Sequence, residues 1–333
     1  MNKKCLGCGA PIQNTNPEDL GYTPKDITEA KYCERCYKII HYNQKTVTNL
    51  PNINNYILKT INKKAKYVYF LIDFLNLNEE TINTFQSIKV PKTLIISKLD
   101  IIPKSIKKEK IITWLNKTYQ IKDNIIFQST KKNLYTKYLI NNLESSNIKE
   151  CYIVGYTNAG KSSLINKLCS LYNNDNILTT SEVPNTTIDF INIKLSDNIT
   201  IIDSPGFTYN NYLFRNDDFT LINKINPKKF IKPITYQTVN NTSLLIENLI
   251  RITPNNKNSL TLYLNNNLNI SRVFDSAKEL NYPNITLNVA DDSDLVIKSL
   301  GFINIKKACQ LNIQISDKNL IEIRPSLFNK ERS

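Results

Sequence analysis

Glycine is scarce in this chain. There are 7 in 333 residues, where average usage near 7% would give roughly 23. Asn, Ile and Lys are abundant instead, the signature of an AT-rich coding sequence. A glycine that persists against that bias marks a place where the backbone needs one. The seven are Gly7, Gly9, Gly21, Gly155, Gly160, Gly206 and Gly301. The chain also has no run of about 18 apolar residues, so no membrane span is expected. Its start, Met1-Asn2-Lys3-Lys4-Cys5, has no apolar stretch like that of a signal peptide, so export is not expected and the cytoplasm is. Hydrophobic residues make up 41% of the chain. That is enough to build buried cores, so wholesale disorder is excluded. A length of 333 residues suggests two or three domains.

The net charge is +14. Residues 1–66 contribute +6, residues 67–150 +5, residues 151–206 −2 and residues 207–333 +5. The excess therefore flanks a near-neutral centre, and it favours a polyanionic partner.

Four of the seven cysteines form two Cys-x-x-Cys pairs, Cys5/Cys8 and Cys33/Cys36. Four thiolates at that spacing suit a closed tetrahedral Zn²⁺ site, and a reducing compartment disfavours disulfides. A redox dithiol is the weaker alternative, because neither pair sits in a thioredoxin-like βαβ context. Cys151, Cys169 and Cys309 read as small buried hydrophobes. His41, the one histidine, reads as a surface residue. Residues 1–45 form a zinc-finger domain too thin in apolar residues to stand without metal, and residues 46–66 a polar linker or helix entry.

An α/β alternation begins at about residue 67. Strands are expected at 67–73, 93–97, 124–128, 150–154, 188–195 and 199–203, and helices at 79–88, 105–119, 133–145 and 161–172. The reading is an open, mostly parallel sheet with helices on both faces. After 207 the pattern becomes strand-rich. Strands are expected at 234–239, 260–264, 284–289, 302–307, 310–315 and 320–324, with one helix near 271–280. This is read as a separate C-terminal α+β domain over 221–333.

Gly155-Tyr156-Thr157-Asn158-Ala159-Gly160-Lys161-Ser162 fits the phosphate-binding loop G-x-x-x-x-G-K-[ST], between a strand and a helix as required. Backbone N–H groups of the loop face phosphates, Lys161 reaches the β and γ phosphates, and Ser162 binds Mg²⁺. Gly155, Asn158, Ala159, Gly160, Lys161, Ser162 and Ser163 are the candidate phosphate-side residues. Asp203-Ser204-Pro205-Gly206 closes a strand about 40 residues later. Asp203 there holds Mg²⁺ through water, and Gly206 offers its N–H to the γ phosphate. In the intervening Pro184-Asn185-Thr186-Thr187, Thr187 is favoured over Thr186 to complete the Mg²⁺ shell and sense the γ phosphate.

A carboxylate that accepts the guanine N1–H and N2–H₂ should lie downstream of these elements in an ordinary GTPase. It lies upstream instead. In Ser97-Lys98-Leu99-Asp100, Asp100 is the acceptor and the Lys98 stem covers the base. Ser129-Thr130-Lys131 follows the next strand and supplies a backbone N–H to guanine O6. Base recognition first and phosphate binding second is the order of a circularly permuted P-loop GTPase domain, here spanning 67–206 with a switch region reaching about 220.

With these motifs in place, the chain resembles the YqeH family of circularly permuted GTPases. The resemblance rests on the CxGCG…CxRC element running into His41-Tyr42-Asn43, on the permuted order, and on Asp294-Leu295-Val296-Ile297-Lys298-Ser299-Leu300-Gly301-Phe302-Ile303. It implies a cytoplasmic, monomeric factor in assembly of the small (30S) ribosomal subunit, with GTP/GDP, Mg²⁺ and Zn²⁺, contacting rRNA and ribosomal proteins and no membrane. It further implies slow hydrolysis, because Phe207 stands where many GTPases have a water-orienting Gln, and K⁺ stimulation through Asn158. Ser97 replaces the family's Asn, which alters a link between base pocket and phosphate loop. Asn185 replaces a Gly, and Thr130 an Ala. A GTP-dependent switch acting at an organelle or membrane is the competing reading.

Overall fold

The computed structural model describes Lys3, residues 11–15, 22–24, 26–34, 53–172, 190–209, 213, 221, 224–239, 242–274 and 280–328. Cys5, Cys8, Cys36, His41, Thr186 and Thr187 lie outside the described residues.

The first sheet takes strands β1 (Val68–Asp73), β2 (Lys92–Ser97), β3 (Asn124–Phe127), β4 (Glu150–Gly155), β5 (Ile191–Lys194) and β6 (Thr200–Asp203) in the order β3-β2-β1-β4-β6-β5. Every pairing is parallel except β5 with β6. Because side chains alternate along a strand, β1 serves two cores. Val68, Phe70 and Ile72 point to one face and Tyr69 and Leu71 to the other, and all five are buried.

The first face is covered by α1 (Ile53–Lys64), α2 (Glu79–Gln86) and α3 (Lys108–Tyr119), through Ile57, Ile61, Ile82, Phe85, Ile111 and Leu115. The second is covered by α4 (Thr136–Ser145) and α5 (Lys161–Leu171), through Leu139, Leu143, Leu164 and Leu168. The apolar positions of each helix recur at three- and four-residue spacing, which is why one stripe of each meets the sheet. Asn78 caps α2 reciprocally: its side-chain Oδ1 accepts from Thr81 N–H, while its backbone N–H donates to Thr81 Oγ1. The expectation of a parallel sheet with helices on both faces is met.

One expectation is sharpened and one changes. Of the two readings of residues 46–66, linker or helix entry, the helix holds over Ile53–Lys64, α1, with Ile57 and Ile61 fully buried in the first core. The polar surface of this helix, rich in Asn and Lys, concealed a narrow apolar stripe. The helix expected near 271–280 is, over Ile270–Phe274, strand β11, paired antiparallel with β8 (Thr242–Ile246). Residues 275–279 lie outside the described residues.

The C-terminal region carries two five-stranded antiparallel sheets, β16-β13-β14-β10-β7 and β11-β8-β9-β15-β12. The remaining strands are β7 (Ile234–Thr238), β9 (Ile250–Pro254), β10 (Asn258–Tyr263), β12 (Asn284–Val289), β13 (Ser293–Ile297), β14 (Gly301–Ile305), β15 (Cys309–Gln314) and β16 (Ile321–Pro325). Leu244, Ile252, Leu260, Leu295, Ile303 and Ile313 form their common core.

The outer face of the first of these sheets packs on the GTPase core. Val296, Phe302, Tyr263 and Leu327 join that core, and the Phe74 and Phe302 rings meet at 5.7 Å. Trp114 Nε1–H donates to Pro325 O at 3.0 Å. The Arg324 guanidinium lies 4.7 Å from both the Trp114 and Phe302 ring centres. It pairs with buried Asp294 at 3.4 Å. Burial raises the Asp294 carboxyl above its ordinary value, and Arg324 opposes that rise.

Cys151 and Cys169 are buried as expected, and desolvation raises both thiols, which keeps them in the inert neutral form. Cys309 is only half-buried.

Candidate functional site

The C-terminal ends of the five parallel strands converge on one edge of the sheet, where α/β folds bind ligands. β4 runs into the phosphate loop. Gly155 ends that strand at φ +153, paired with Leu71 of β1, and a Cβ there would sit 2.4 Å from the Leu71 carbonyl oxygen. Lys161 opens α5 and is buried, with Nζ donating to the Gly155 and Tyr156 carbonyls at 2.9 and 3.0 Å. Its ammonium is thus folded back over the loop, beside Gly206. Ser162 is half-buried and Asn158 exposed.

β6 ends at Asp203, and the segment after it returns to the phosphate loop. Phe207 N–H donates to Gly155 O at 3.1 Å, and Thr157 N–H donates to Phe207 O at 2.9 Å. The Phe207 side chain is buried, its ring 5.7 Å from Tyr156 and 6.1 Å from Phe70. It points into the core, so it neither orients nor activates a water at the phosphates. Thr208 is held by α1: its N–H donates to Asn54 Oδ1 at 3.1 Å, and its carbonyl accepts from Asn54 Nδ2 at 2.7 Å.

The base-side residues gather at the ends of β2 and β3. Ser97 Oγ–H donates to Ala159 O at 2.6 Å, both residues being buried. Serine thus keeps a direct tie between the base element and the phosphate loop. Ser97→Ala is expected to lose about 1–2 kcal/mol of stability, since it strands a buried carbonyl. Chemical denaturation and GDP titration of the variant would measure that loss together with a drop in nucleotide affinity.

Lys98 adopts φ 55, which turns the chain after β2. Asp100 is half-buried, and its Oδ1 accepts the Ser129 hydroxyl at 2.5 Å. Ser129 is itself buried, and its Oγ also accepts from Lys132 N–H at 3.2 Å. Leu99 N–H donates to Gln128 O at 2.9 Å, which binds the two base loops backbone to backbone. Asn133, in the loop after Ser129-Thr130-Lys131, takes φ 53.

The sequence motifs did not include Asp73, at the end of β1. It is buried, lies 3.4 Å from Lys98 Nζ, and accepts from Leu75 N–H, Asn76 N–H and Asn76 Nδ2. Asn76 Oδ1 in turn accepts from Ser299 N–H of the C-terminal region at 3.0 Å. The sequence shows only an acid ending an apolar strand; the sheet order is what sets it beside the base element.

The residues fit a guanine nucleotide with Mg²⁺. Gly160 takes φ +97 with nothing within 4 Å of a Cβ built there, and Ser162 and Asp203 are hard oxygen donors of the kind Mg²⁺ takes. Thr187, the third expected ligand, lies outside the described residues. Of the zinc set only Cys33 is described; it is buried in a small cluster with Ile12 and Ala30. A groove of about 920 Å³ lies elsewhere, between α1, α2 and the C-terminal strands, with Phe207 on its wall.

Residues 150–273 match the family model described as "50S ribosome-binding GTPase". YqeH of Bacillus subtilis, described as uncharacterized, is 31% identical over 283 residues, covering 80% of this chain and 77% of that one. The chain belongs to the YqeH family. It is a circularly permuted P-loop GTPase, with the base elements on β2 and β3 preceding the phosphate elements on β4 and β6. A shorter match, 37% identical over 84 residues, joins this YqeH-family chain to a probable GTP-binding protein EngB of Rickettsia akari, covering 25% of this chain and 38% of that one. The crystal structure of YjeQ from Thermotoga maritima aligns with a TM-score of 0.31 at 18% identity, over 44% of this chain and 49% of that one.

Proposed function

We propose that the protein is a GTP-hydrolysing assembly factor of the small ribosomal subunit, bound to pre-ribosomal particles when GTP-loaded and released after hydrolysis. One observation carries this reading. In the permuted order the chain leaves the GTPase sheet directly after Asp203–Gly206 and continues into the C-terminal sheets. The phosphate-sensing segment is therefore the covalent lead into the C-terminal region. Through Thr208 and Asn54 it is also hydrogen-bonded to the helix that follows the N-terminal region. A change at the γ phosphate thus acts on both basic flanks at once.

When GTP binds, Lys161 exchanges its two loop carbonyls for phosphate oxygens, and Asp100 takes the guanine edge. Mg²⁺, held by Ser162, Thr187 and Asp203, would neutralise phosphate charge. With Phe207 turned inward, intrinsic hydrolysis is slow. The exposed Asn158 side chain stands on the open side of the loop, where it would hold K⁺ against the phosphates. Hydrolysis is then faster in K⁺ than in Na⁺ at matched ionic strength with ribosomal subunits present, and equal rates would remove this part.

The four cysteines at 5, 8, 33 and 36 are read as one structural zinc site. The buried cluster around Cys33 supports it, because so few apolar residues do not hold a domain alone. Purified protein is expected to release one zinc per chain on thiol titration, and Cys33→Ser is expected to lose it.

Sedimentation of cell extract with GTP or a non-hydrolysable analogue tests the whole. Co-migration with small subunits only in the analogue supports the proposal. Co-migration with large subunits, as the matched family's description would suggest for that family, replaces the subunit assignment. Migration with membranes favours the organelle or membrane switch. Among the described residues no helix is long and apolar enough to cross a membrane. Cytoplasmic location and a monomeric state belong to the same reading.

A further inference from the structure

Three segments far apart in sequence meet beside the base pocket: residues 103–110, 131–138 and 228–232. Ten of their 21 residues are lysine and one, Glu109, is acidic. Named contacts join each segment to the other two. Lys108 Nζ donates to Tyr135 OH at 3.1 Å and lies 4.4 Å from the Tyr135 ring centre. Lys104 and Lys232 both lie 5.9 Å from the Phe230 ring centre. Lys131 Nζ donates to the Lys228 carbonyl. Ile231 is buried beneath, its N–H donating to Ile101 O at 2.9 Å, which fixes the third segment to the turn that carries Asp100. The general abundance of lysine in this chain does not explain why three segments converge with one acid among them.

The same surface exposes aromatic rings. Tyr135 is 45% exposed, Tyr138 49% and Phe230 43%. Exposed rings scattered singly need no explanation, but apolar groups gathered in one patch with a polar rim mark an interaction surface. Tyr135 and Tyr138 stand at 88° with centroids 6.4 Å apart, so they do not stack face to face on each other. Lysines interleaved with half-exposed rings are what single-stranded nucleic acid requires: ammonium groups that can turn to the phosphates, and rings on which unpaired bases stack. A membrane surface would want the apolar groups along one amphipathic helix face. Here they stand on α4, on the loop before it, and on the separate 228–232 segment.

We propose that this face of the GTPase domain, built from Lys104, Lys108, Tyr135, Tyr138, Phe230 and Lys232, binds single-stranded RNA directly. It is a contact surface additional to the N-terminal and C-terminal flanks. The inference deepens the ribosomal reading and rests on it for the identity of the RNA. It also gives that RNA a position: the surface abuts the Asp100 turn and the Ser129–Lys131 loop, so the strand lies along the rim of the base pocket.

The test uses the full chain as purified and a fluorescein-labelled 12-nucleotide oligouridylate, with an RNA duplex of equal length and phosphatidylglycerol–phosphatidylcholine vesicles as parallel probes. Two variants are compared, Lys104→Glu/Lys108→Glu/Lys232→Glu and Tyr138→Ala/Phe230→Ala. None of these residues belongs to the nucleotide site, so unchanged GDP affinity reports that each variant is folded.

The charge variant is expected to weaken oligouridylate binding at least tenfold and to flatten the log K against log salt slope by about 2, at roughly 0.7 per lost phosphate contact. The aromatic variant is expected to weaken it at least fivefold while leaving duplex binding unchanged. The proposal is overturned by wild-type affinity in both variants, by no binding of oligouridylate to the wild type, by equal loss on duplex and single strand in the aromatic variant, or by patch-dependent binding of vesicles alone. If the variants bind as wild type but the wild type still co-sediments with small subunits, this surface falls and the ribosomal reading stands. Patch-dependent RNA binding without any co-sedimentation has the opposite meaning.

Discussion

Asp100→Asn is expected to turn a guanine-selective site into a xanthine-selective one. Guanine presents two donors, N1–H and N2–H₂, and an ionised carboxylate accepts both through charge-assisted hydrogen bonds. The Ser129 hydroxyl already occupies one side of Oδ1 at 2.5 Å, which fixes the plane of the carboxylate against the base loop. An Asn in that position keeps the Ser129 bond through its carbonyl oxygen but turns a donor toward the N2 position. There it opposes the guanine amino group and matches the carbonyl of xanthine. Sites built to pair a polar edge reject the mismatched ligand strongly, so GTP affinity should fall about a hundredfold or more while XTP gains. Competition titration of GTP, XTP and ATP against wild type and variant measures this. GTP affinity unchanged in the variant would mean that Asp100 does not read the base.

The base and phosphate motifs were legible because each sits at a strand end, where a long apolar run stops at a polar signature. Val68–Ile72, Leu94–Ile96 and Cys151–Val154 are continuous buried runs, and Ser97, Asp100, Gly155 and Lys161 follow directly. The permuted order needed only the sequence of those signatures along the chain. Helix α1, which reads as linker or helix entry, and strand β11, expected as helix, are harder to read for a different physical reason. Helix α1 buries only two of its twelve residues, Ile57 and Ile61, so most of its sequence looks like a polar linker. Strand β11 is an edge strand with three of its five residues exposed, and Ser271 and Arg272 on it carry no alternating apolar signal. A strand whose stability comes from pairing with β8 shows little of it in its own residues.

Asp73 stayed invisible for a third reason. Its role depends on which strand lies beside β2, and that is a property of sheet order. Gly301 moves the other way, from resemblance to mechanism. It sits at φ +134, and a Cβ there would lie 2.4 Å from the Tyr263 carbonyl oxygen. The contact falls where β14 passes β10, on the face that packs against Phe74 and Leu75 of the GTPase core.

Gly155 and Gly301, each with a backbone carbonyl 2.4 Å from where a Cβ would stand, frame the second large effect. Gly155→Ala is expected to cost the protein its fold as well as its phosphate site. The Leu71 carbonyl lies on the central strand β1, whose Leu71 side chain is fully buried in the core beneath α4 and α5. That strand is hydrogen-bonded on both sides, to β2 and β4, so it does not yield to a methyl group at 2.4 Å. The backbone conformation itself disfavours an L side chain. Overpacking against fixed backbone combined with a strained φ places the expected loss at roughly 3 kcal/mol or more. A fall of this size should appear as a lower unfolding midpoint or as insoluble expression. Gly301→Ala meets an equal clash at the contact between the GTPase core and the C-terminal sheets, away from the phosphate loop. It is expected to lower stability while the remaining folded fraction binds GDP with wild-type affinity. Nucleotide binding lost in both variants, measured on folded protein, would mean that the C-terminal contact shapes the nucleotide site itself. Binding lost only at Gly155 would mean that the two glycines answer the same steric problem for separate purposes, one at the phosphate loop and one at the contact between the GTPase core and the C-terminal sheets.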